Sequence, residues 1–416
     1  MQTLDRALLV ALNYRTSLQI TKESVDELEE LALACNIKTI DKVIQSSDSI
    51  DPRYYIGSGK VEEIKKMIDV LNIDLVIFDD TLAAGQLRNL EKYLDVQVID
   101  RSFLILQIFA ERAKTKQAMM EVALAQKLYM LPRLVGMSNS LSRQGGGSFN
   151  AKGPGETKLE LDRRRLSAEI SQLKYEISQI KKERQINVQK RIQNQVPVVA
   201  LVGYTNAGKS SLMNYFTEQF GENKTKVFEK DMLFATLDTK AKRIKKDNHP
   251  AFILIDTVGF INKLPHELVS SFESTLSDIT SADLILHIID GKNPSELQIQ
   301  LTKQILKSLG VDQIPRLLVV TKRDLRISAP VLNEEYIYIS NKTGEGMDEL
   351  FQAIDSNLYP ESRIYTFVIP FNKGNIFQQL KEHTRVLDSE YVEDGIKVRV
   401  VLTPVQAAQY KKYINE

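Results

Sequence analysis

The sequence predicts an α/β protein whose largest domain has a mostly parallel sheet with helices on both faces. Three apolar runs rich in β-branched residues are typical of buried parallel strands, at 198–202, 251–255 and 316–320. Each run ends in glycine or polar residues, as strands do at the ligand-binding edge of such a sheet. The first run leads through a glycine-rich turn into an apolar helical segment. Strand, glycine-rich turn and helix together predict a phosphate-binding domain.

The composition is that of a globular protein with several domains. The chain has 416 residues, of which 43% are hydrophobic and 26% charged, and its net charge is +1. This length predicts two to four domains, and the small net charge means that any binding to nucleic acid needs a local patch. Cys35 is the only cysteine, which excludes an internal disulfide. With no signal-peptide pattern and no apolar run of membrane-spanning length, we expect a cytoplasmic protein with no membrane partner.

Residues 1–112 are predicted to form a separate N-terminal α/β domain. Apolar strand patterns and helical spacings alternate through this region, as in a small α/β sheet. The predicted strands are 6–12, 39–44, 75–78 and 96–99, and the predicted helices are 22–35, 61–71 and 85–93. The turn Gly57-Ser58-Gly59-Lys60 has only half the spacing of a phosphate loop. It favours a helix start or a nucleic-acid phosphate contact over a second nucleotide site.

Residues 113–195 are predicted to form an antiparallel helical hairpin with a glycine-rich tip. Apolar residues from Leu159 to Ile180 recur at alternating spacings of three and four, which is a heptad seam. Between the two helices, residues 143–155 contain five glycines with arginine and lysine, and Arg163-Arg164-Arg165 follow on the same arm. Acidic residues dilute this charge, so a solvated surface is one interpretation. A basic glycine-rich tip that probes structured RNA is the other.

Residues 196–360 are predicted to hold the nucleotide, because residues 203–210 read G-x-x-x-x-G-K-S. Backbone N–H groups of such a loop and the following helix N-terminus surround phosphate oxygens. Lys209 is placed to reach the β- and γ-phosphates, and Ser210 to ligate Mg²⁺. The predicted phosphate contacts are Gly203, Tyr204, Thr205, Asn206, Ala207, Gly208, Lys209, Ser210 and Ser211.

Three later strand ends favour GTP and GDP over adenine nucleotides. Asp256 is placed to hold Mg²⁺ through water, and the Gly259 N–H to bind the γ-phosphate. Asp324 can accept hydrogen bonds from guanine N1 and N2, and adenine offers no such donor pair. Thr321 stands where this motif usually has asparagine, so we expect the loss of an amide that braces the loop and approaches guanine N7. The full predicted set is Asp256, Thr257, Val258 and Gly259 at the phosphate end, and Thr321, Lys322, Arg323, Asp324, Ser340, Asn341 and Lys342 at the base.

The segment 231–239 is the predicted γ-phosphate sensor. Its predicted nucleotide contacts are Phe234, Ala235, Thr236, Leu237 and Asp238. Thr236 is the predicted Mg²⁺ ligand, with Thr239 as the alternative, because a switch needs a hydroxyl that binds the metal only when the γ-phosphate is present. Lys209, Thr236 and Gly259 are the predicted catalytic residues.

Two residues bear on the rate of hydrolysis. Ras-like GTPases have a water-orienting glutamine after the D-x-x-G glycine, and this chain has Phe260, which cannot polarise water. We therefore expect slow intrinsic hydrolysis that a partner completes. Asn206 has two interpretations: it helps hold K⁺ near the β,γ-bridge, or it is a turn residue that tolerates a left-handed backbone.

Residues 361–416 are predicted to form a small α+β domain. The predicted strands are 364–369, 386–392 and 396–402, with a hairpin turn at Asp394-Gly395. A helix is predicted at 375–383, and Thr403-Pro404 predict the start of a final helix.

These motifs together resemble the HflX family of ribosome-associated GTPases. The resemblance covers nearly the whole chain. It rests on Asp100-Arg101, residues 105–110 with Arg112-Ala113, Gly153-Pro154-Gly155-Glu156-Thr157, Asp162-Arg163-Arg164, the loop at 203–210, and segments 234–238 and 256–261. It implies a cytoplasmic protein that binds the large ribosomal subunit and its RNA, splits stalled or idle ribosomes when GTP is bound, and hydrolyses GTP faster on ribosomes. It also implies that the hairpin tip reaches toward the peptidyl-transferase region.

Two other functions remain open on the sequence alone. One is a GTP-gated switch that recruits a protein or membrane partner without RNA, which the small net charge favours and the basic tip opposes. The other is an RNA-remodelling ATPase that works through Gly57 to Lys60. We expect a monomer in each case.

Overall fold

The computed structural model describes residues 5–141, 154–193, 196–221, 240–246, 249, 251–263, 279–325 and 329–413. The chain divides into two compact units, which we describe separately. The first unit comprises residues 1–185, 231–238 and 261–274, and the second comprises 186–230, 239–260 and 275–416. Among the described residues, no helix combines the length and the apolar character that crossing a membrane requires.

The first unit contains a four-stranded parallel sheet, as its alternating pattern predicted. The strands are β1 (Arg6–Asn13), β2 (Lys38–Ser46), β3 (Leu75–Phe78) and β4 (Gln97–Asp100), in the order β2-β1-β3-β4. The helices are α1 (Leu18–Ala34), α2 (Ser58–Leu71), α3 (Ala84–Leu94) and α4 (Arg101–Arg112). Strand β3 is buried along its whole length, which explains its continuous apolar run. Helix α4 was not predicted.

The turn at Gly57 is a helix start, which confirms one of the two favoured interpretations. Gly57 is the N-cap of α2, and its N–H donates to Gln45 Oε1 at 2.9 Å. The Lys60 ammonium is paired with Glu63, 2.6 Å away. The Gly57 N–H and the Lys60 ammonium are therefore both bound within the protein.

Two long helices follow, α5 (Lys116–Leu141) and α6 (Pro154–Gln193). Met120 and Leu124 of α5 pack with Ile170 and Ile177 of α6, and the flanking residues Leu166, Leu173 and Ile180 join the same cluster. The predicted heptad seam is therefore the face that α6 buries, as knobs-into-holes packing requires. Residues 143–153 of the predicted tip lie outside the described residues.

The pair Asp100-Arg101 has a structural role in this unit. Asp100 caps α4 by accepting from Phe103 N, and its two oxygens also accept from Tyr129 Oη and Arg133 Nη2 of α5, each at 2.9 Å. Arg101 is buried and donates to Asp79 Oδ1 at 2.7 Å, and it also pairs with Glu27 of α1. These pairs join β3, α1, α4 and α5 through charge-assisted hydrogen bonds.

The second unit contains a six-stranded sheet that is parallel except at one edge. Its strands are β5 (Val198–Gly203), β6 (Lys240–Ile244), β7 (Phe252–Asp256), β8 (Leu284–Asp290), β9 (Arg316–Thr321) and β10 (Ile337–Tyr338), in the order β10-β9-β8-β5-β7-β6. Only β6 is antiparallel to its neighbour, and it was not predicted. The helices are α7 (Lys209–Phe220), α8 (Glu296–Ser308) and α9 (Met347–Leu358). Because β5, β7, β8 and β9 are parallel, their carboxyl ends share one edge, where ligands bind in such sheets.

The last part of the second unit is a three-stranded antiparallel sheet with two helices. The elements are β11 (Arg363–Ile369), α10 (Gly374–His383), β12 (Arg385–Val392), β13 (Gly395–Leu402) and α11 (Pro404–Tyr410), and the strand order is β11-β13-β12. Thr403 caps α11 by accepting from Gln406 N. The predicted hairpin and capped helix are both confirmed.

Candidate nucleotide site

The phosphate loop, residues 203–210, joins β5 to α7 as its sequence predicted. Gly208 has φ +94° and immediately precedes α7, a conformation that favours glycine. Asn206 has φ +60°, which asparagine tolerates better than most residues. The loop therefore ends at a helix N-terminus whose backbone N–H groups can bind phosphate oxygens.

Two backbone hydrogen bonds join the phosphate loop to the D-x-x-G segment. Thr205 N donates to Phe260 O at 2.8 Å, and Phe260 N donates to Gly203 O at 3.0 Å. They hold Gly259 so close to the loop that an added Cβ would lie 2.8 Å from Thr205 Cγ2 and 3.0 Å from Lys209 Nζ. Only glycine fits there. A movement of the backbone at Gly259 must therefore also displace the phosphate loop.

The Phe260 side chain is a core residue. It is 3% exposed and packs in the cluster that includes Tyr204, Leu212 and Leu286. The position that carries glutamine in Ras-like GTPases therefore stabilises the fold here. No side-chain polar group of residue 260 can orient a water.

Lys209 is buried beside the loop carbonyls. Its ammonium donates to Tyr204 O at 2.6 Å and to Gly203 O at 3.0 Å. Burial lowers the pKa of Lys209 to about 8, although the nearby Asp256 carboxylate opposes that shift. A buried ammonium with two carbonyl partners is placed where a phosphate oxygen can replace one of them.

Ser210 and Asp256 bring two oxygen atoms together at the same helix start. Ser210 Oγ donates to Asp256 Oδ2 at 2.8 Å, and Asp256 is fully buried at the end of β7. A hydroxyl and a carboxylate are the ligand types that Mg²⁺ prefers, directly or through water. Next to them, Thr257 Oγ1 donates to Leu201 O at 2.6 Å, which fixes the chain that follows β7 to β5. Among the described residues, no cluster of three or more histidine, cysteine or acidic side chains could hold a metal.

The base end is built from the loops after β9 and β10. Ser340 Oγ donates to Asp324 Oδ1 at 2.7 Å and accepts from the N–H groups of Lys342 and Thr343. This network fixes the orientation of the Asp324 carboxylate, which is exposed at the surface of the site. A carboxylate held in this way is suited to accept two parallel N–H groups from guanine.

Thr321 still braces the phosphate loop, contrary to the sequence expectation. Its buried hydroxyl lies 2.7 Å from Ala207 O and 3.1 Å from Ile289 O. Asn341 adds a second brace, because its Nδ2 donates to Gly208 O at 3.1 Å. The sequence did not indicate this role of Asn341. Both contacts join distant parts of the chain: Asn341 is 133 residues from Gly208, and Thr321 is 114 residues from Ala207.

The other predicted residues fall into three groups. The side chains of Lys322 and Arg323 pair with Asp290 and Glu345, and their contact with the base stays a prediction. Val258 is buried, and Lys342 is exposed beside Asn341. Phe234, Ala235, Thr236, Leu237, Asp238 and the alternative Thr239 lie outside the described residues.

The lowered pKa of Lys209 predicts how nucleotide affinity depends on pH. The phosphates of GTP or GDP bind the protonated amine, and in the unliganded protein that form is lost as the pH rises through about 8. GDP affinity should therefore fall above pH 8, by up to about tenfold for each pH unit. Titration with a fluorescent GDP analogue between about pH 7 and 9.5 measures this.

The matched control is Lys209→Met. This variant should bind more weakly at every pH and lack the fall that the ammonium causes. Ionisation of guanine itself affects both proteins equally, so the difference between them isolates Lys209. Equal pH slopes for the two proteins would contradict the prediction.

Comparisons with known proteins show which families and structures this chain is similar to. Family models match three consecutive regions: a GTP-binding GTPase N-terminal region over residues 22–110, a GTP-binding GTPase middle region over 112–191, and a 50S ribosome-binding GTPase over 198–322. GTPase HflX of Caldanaerobacter subterraneus subsp. tengcongensis is 42% identical over 96% of this chain and 91% of its own length. GTPase HflX of Escherichia coli K12 is 37% identical over 89% of this chain and 87% of its own length. A GTP-binding protein from Sulfolobus solfataricus, solved with GDP, matches 85% of this chain and 99% of its own at 23% identity and a TM-score of 0.42.

Proposed function

This chain belongs to the HflX family of GTPases, and from that premise we propose that its GTP-bound form binds the large ribosomal subunit and splits stalled or idle ribosomes. The chain binds and hydrolyses GTP as a member of that family. The match of residues 198–322 to the 50S ribosome-binding GTPase model supports the ribosome as partner. The proposed place of action is the cytoplasm, where ribosomes are, and the proposed acting form is a monomer.

The proposed change between GTP-bound and GDP-bound forms rests on the pair of hydrogen bonds between the phosphate loop and Phe260. Because Thr205 N and Gly203 O both bind Phe260, Gly259 is held so that a Cβ added to it would lie 3.0 Å from Lys209 Nζ. A γ-phosphate that binds Gly259 would therefore fix the chain that follows it, and loss of that phosphate would release it. Such a switch gives GTP and GDP forms with different affinities for a partner.

We propose that ribosomes accelerate hydrolysis because residue 260, directly after Gly259, is a phenylalanine and cannot position a water. The burial of Phe260 supports this. The proposed RNA contacts are the glycine-rich tip at 143–155 and Arg163-Arg164-Arg165, with the tip directed to the peptidyl-transferase region. In the described part of this arm, Arg163 and Arg164 are more than half exposed, although both are paired with Glu160.

The proposed metal is Mg²⁺, held by Ser210, by Asp256 through water, and by Thr236 when the γ-phosphate is bound. The contact between Ser210 Oγ and the Asp256 carboxylate supports the first two. When bound, Mg²⁺ neutralises charge on the β- and γ-phosphate oxygens. Lys209 and the loop N–H groups hold the same phosphates from the protein side.

The test of the proposed function is sedimentation of whole ribosomes with the protein and GTP, GDP or a non-hydrolysable GTP analogue. We expect conversion of ribosomes into subunits with GTP and with the analogue, and none with GDP. The matched control is Lys209→Met, which should not convert them with any nucleotide. If the protein stays off the large subunit with every nucleotide at low salt, ribosome binding is wrong and the partner is of another class.

We also propose that Asn206 helps hold K⁺ near the β,γ-bridge. Its side chain is exposed on the phosphate loop, which supports access to an ion. The backbone preference for asparagine at a φ of +60° would also explain this residue without any ion. A test variant must therefore keep that backbone conformation. Asn206→Gly does so. We expect turnover on ribosomes to be faster in K⁺ than in Na⁺ for the parent, and equal in the two salts for Asn206→Gly. Equal rates in both salts for the parent would make Asn206 a turn residue only.

A further inference from the structure

The guanine end of the site has two side chains that meet at one point of the phosphate loop. A Cβ added to Gly208 would lie 3.2 Å from Thr321 Oγ1 and 3.2 Å from Asn341 Nδ2. Thr321 ends β9 and Asn341 follows β10, so two separate strand ends supply these polar atoms. Together they occupy the place of the single asparagine that opens the usual base motif.

Thr321 can make only one of the two hydrogen bonds that an asparagine could donate at this position. A hydroxyl has one hydrogen, and here that hydrogen is directed at Ala207 O, 2.7 Å away, or at Ile289 O. An asparagine amide has two N–H groups, one for the loop and one for the base. Position 321 therefore braces the loop but has no donor left for guanine.

Asn341 has the missing donor. Its nitrogen must face Gly208, because the atom opposite is a carbonyl oxygen and only the NH₂ group can donate to it. This contact uses one of its two N–H groups. Its Oδ1 is buried and has no hydrogen-bond partner among the described residues. Because N7 of a purine is itself an acceptor, the Oδ1 atom cannot bind it, and the second N–H group of Nδ2 is the group that can.

We propose that Asn341 supplies the amide function that Thr321 cannot, by bracing the phosphate loop at Gly208 and donating its second N–H to N7 of the bound purine. Asp324 selects guanine through N1 and N2, whereas N7 is an acceptor in guanine and adenine alike. Asn341 therefore adds affinity for the purine, and Asp324 adds the choice of purine. The proposal rests on guanine nucleotide binding and is independent of the ribosome.

The first experiment compares GDP with 7-deaza-GDP, in which a carbon replaces N7. Losing one neutral hydrogen bond of about 1 kcal/mol should weaken binding of the parent protein to 7-deaza-GDP by about fivefold. Asn341→Ala should bind GDP about tenfold more weakly than the parent, because it loses the brace as well. It should also no longer distinguish GDP from 7-deaza-GDP. If Asn341→Ala keeps the same preference for GDP as the parent, the N7 contact is wrong.

The second experiment moves the asparagine back to the usual position. The double variant Thr321→Asn with Asn341→Ala should recover most of the GDP affinity and the preference for GDP over 7-deaza-GDP. Asp312→Asn, an exposed change elsewhere in the same unit, should leave both unchanged. A double variant no better than Asn341→Ala alone would show that the two positions do not share one function. These measurements use no ribosomes, so their outcome is separate from that of the proposed function.

Discussion

Asp324→Asn is expected to lower affinity for GTP and GDP by about a thousandfold and to transfer the preference to xanthine nucleotides. The carboxylate accepts two N–H groups of guanine, each worth about 2 kcal/mol because the acceptor is charged. An asparagine amide places an NH₂ group against one of those donors. Xanthine has a carbonyl oxygen in place of the guanine amino group, so the same NH₂ group can donate to it.

The structure favours this change of nucleotide preference because Ser340 holds the side chain of residue 324 in place. Its hydroxyl donates to Asp324 Oδ1 at 2.7 Å, and an asparagine oxygen can accept the same bond. The measurement is competition of GDP, XDP and ADP against a fluorescent nucleotide. Asp312→Asn, an exposed change in the same unit, should have no effect. A variant that keeps GDP affinity and gains none for XDP would show that Asp324 does not read the base.

Arg101→Met is expected to destabilise the first unit by about 3–5 kcal/mol, because it leaves the Asp79 carboxylate buried without its main partner. Arg101 is 1% exposed and Asp79 is 0% exposed, and their side chains are 2.7 Å apart. Asp79 also accepts from Ser24 Oγ at 2.7 Å and from Lys263, a residue of the same unit, at 2.5 Å. The measurement is hydrogen exchange of the amides in β1 and β3, which reports on this unit alone.

The effect should depend on pH in a defined direction. Burial alone would raise the pKa of Asp79, but Arg101, Lys263 and Ser24 outweigh it and lower that pKa below its usual value. The network therefore stabilises the folded protein above the unfolded pKa of about 4, and this stability is lost as the pH falls through the lower folded pKa. In Arg101→Met the carboxylate is protonated more easily, so the difference from the parent should narrow as the pH is lowered.

Two variants separate an unpaired charge from a general packing defect. Lys263→Met removes a partner that is one-third exposed, so its effect should be much smaller than that of Arg101→Met. Adding Asp79→Leu to Arg101→Met removes the buried charge and should restore part of the lost stability. If this double variant is less stable than Arg101→Met, the loss comes from packing and not from the unpaired carboxylate.

Much of the nucleotide site could be predicted from the sequence because its signals are local. The residues of the phosphate loop are consecutive, and the strand before it and the helix after it have distinct periodicities. Asp256, Asp324 and Ser340 follow apolar strand segments, and parallel strands bring their carboxyl ends to one edge. The predicted heptad seam of α6 and the Thr403 cap were also correct, because both depend on neighbours within one or two helical turns.

The errors came from contacts between residues far apart in the chain. Helix α4 was not predicted, although Asp100 caps it, because its apolar residues are nearly continuous. The antiparallel strand β6 was missed because three of the five residues in Lys240–Ile244 are charged, so the segment has no apolar run. The ion pairs of Lys322 with Asp290 and of Arg323 with Glu345 were not foreseen, because each joins two separate loops.

The sequence by itself predicted a phosphate-binding loop between a strand and a helix, and a carboxylate, Asp324, placed to select guanine. Tertiary structure alone decided that Phe260 is a core residue, that Thr321 still braces the loop, and that Asn341 reaches Gly208 from another strand. The physical reason is the range of the interactions. Backbone conformation and amphipathic periodicity are encoded over a few residues, whereas a hydrogen bond between two loops exists only after the sheet has brought the strand ends together.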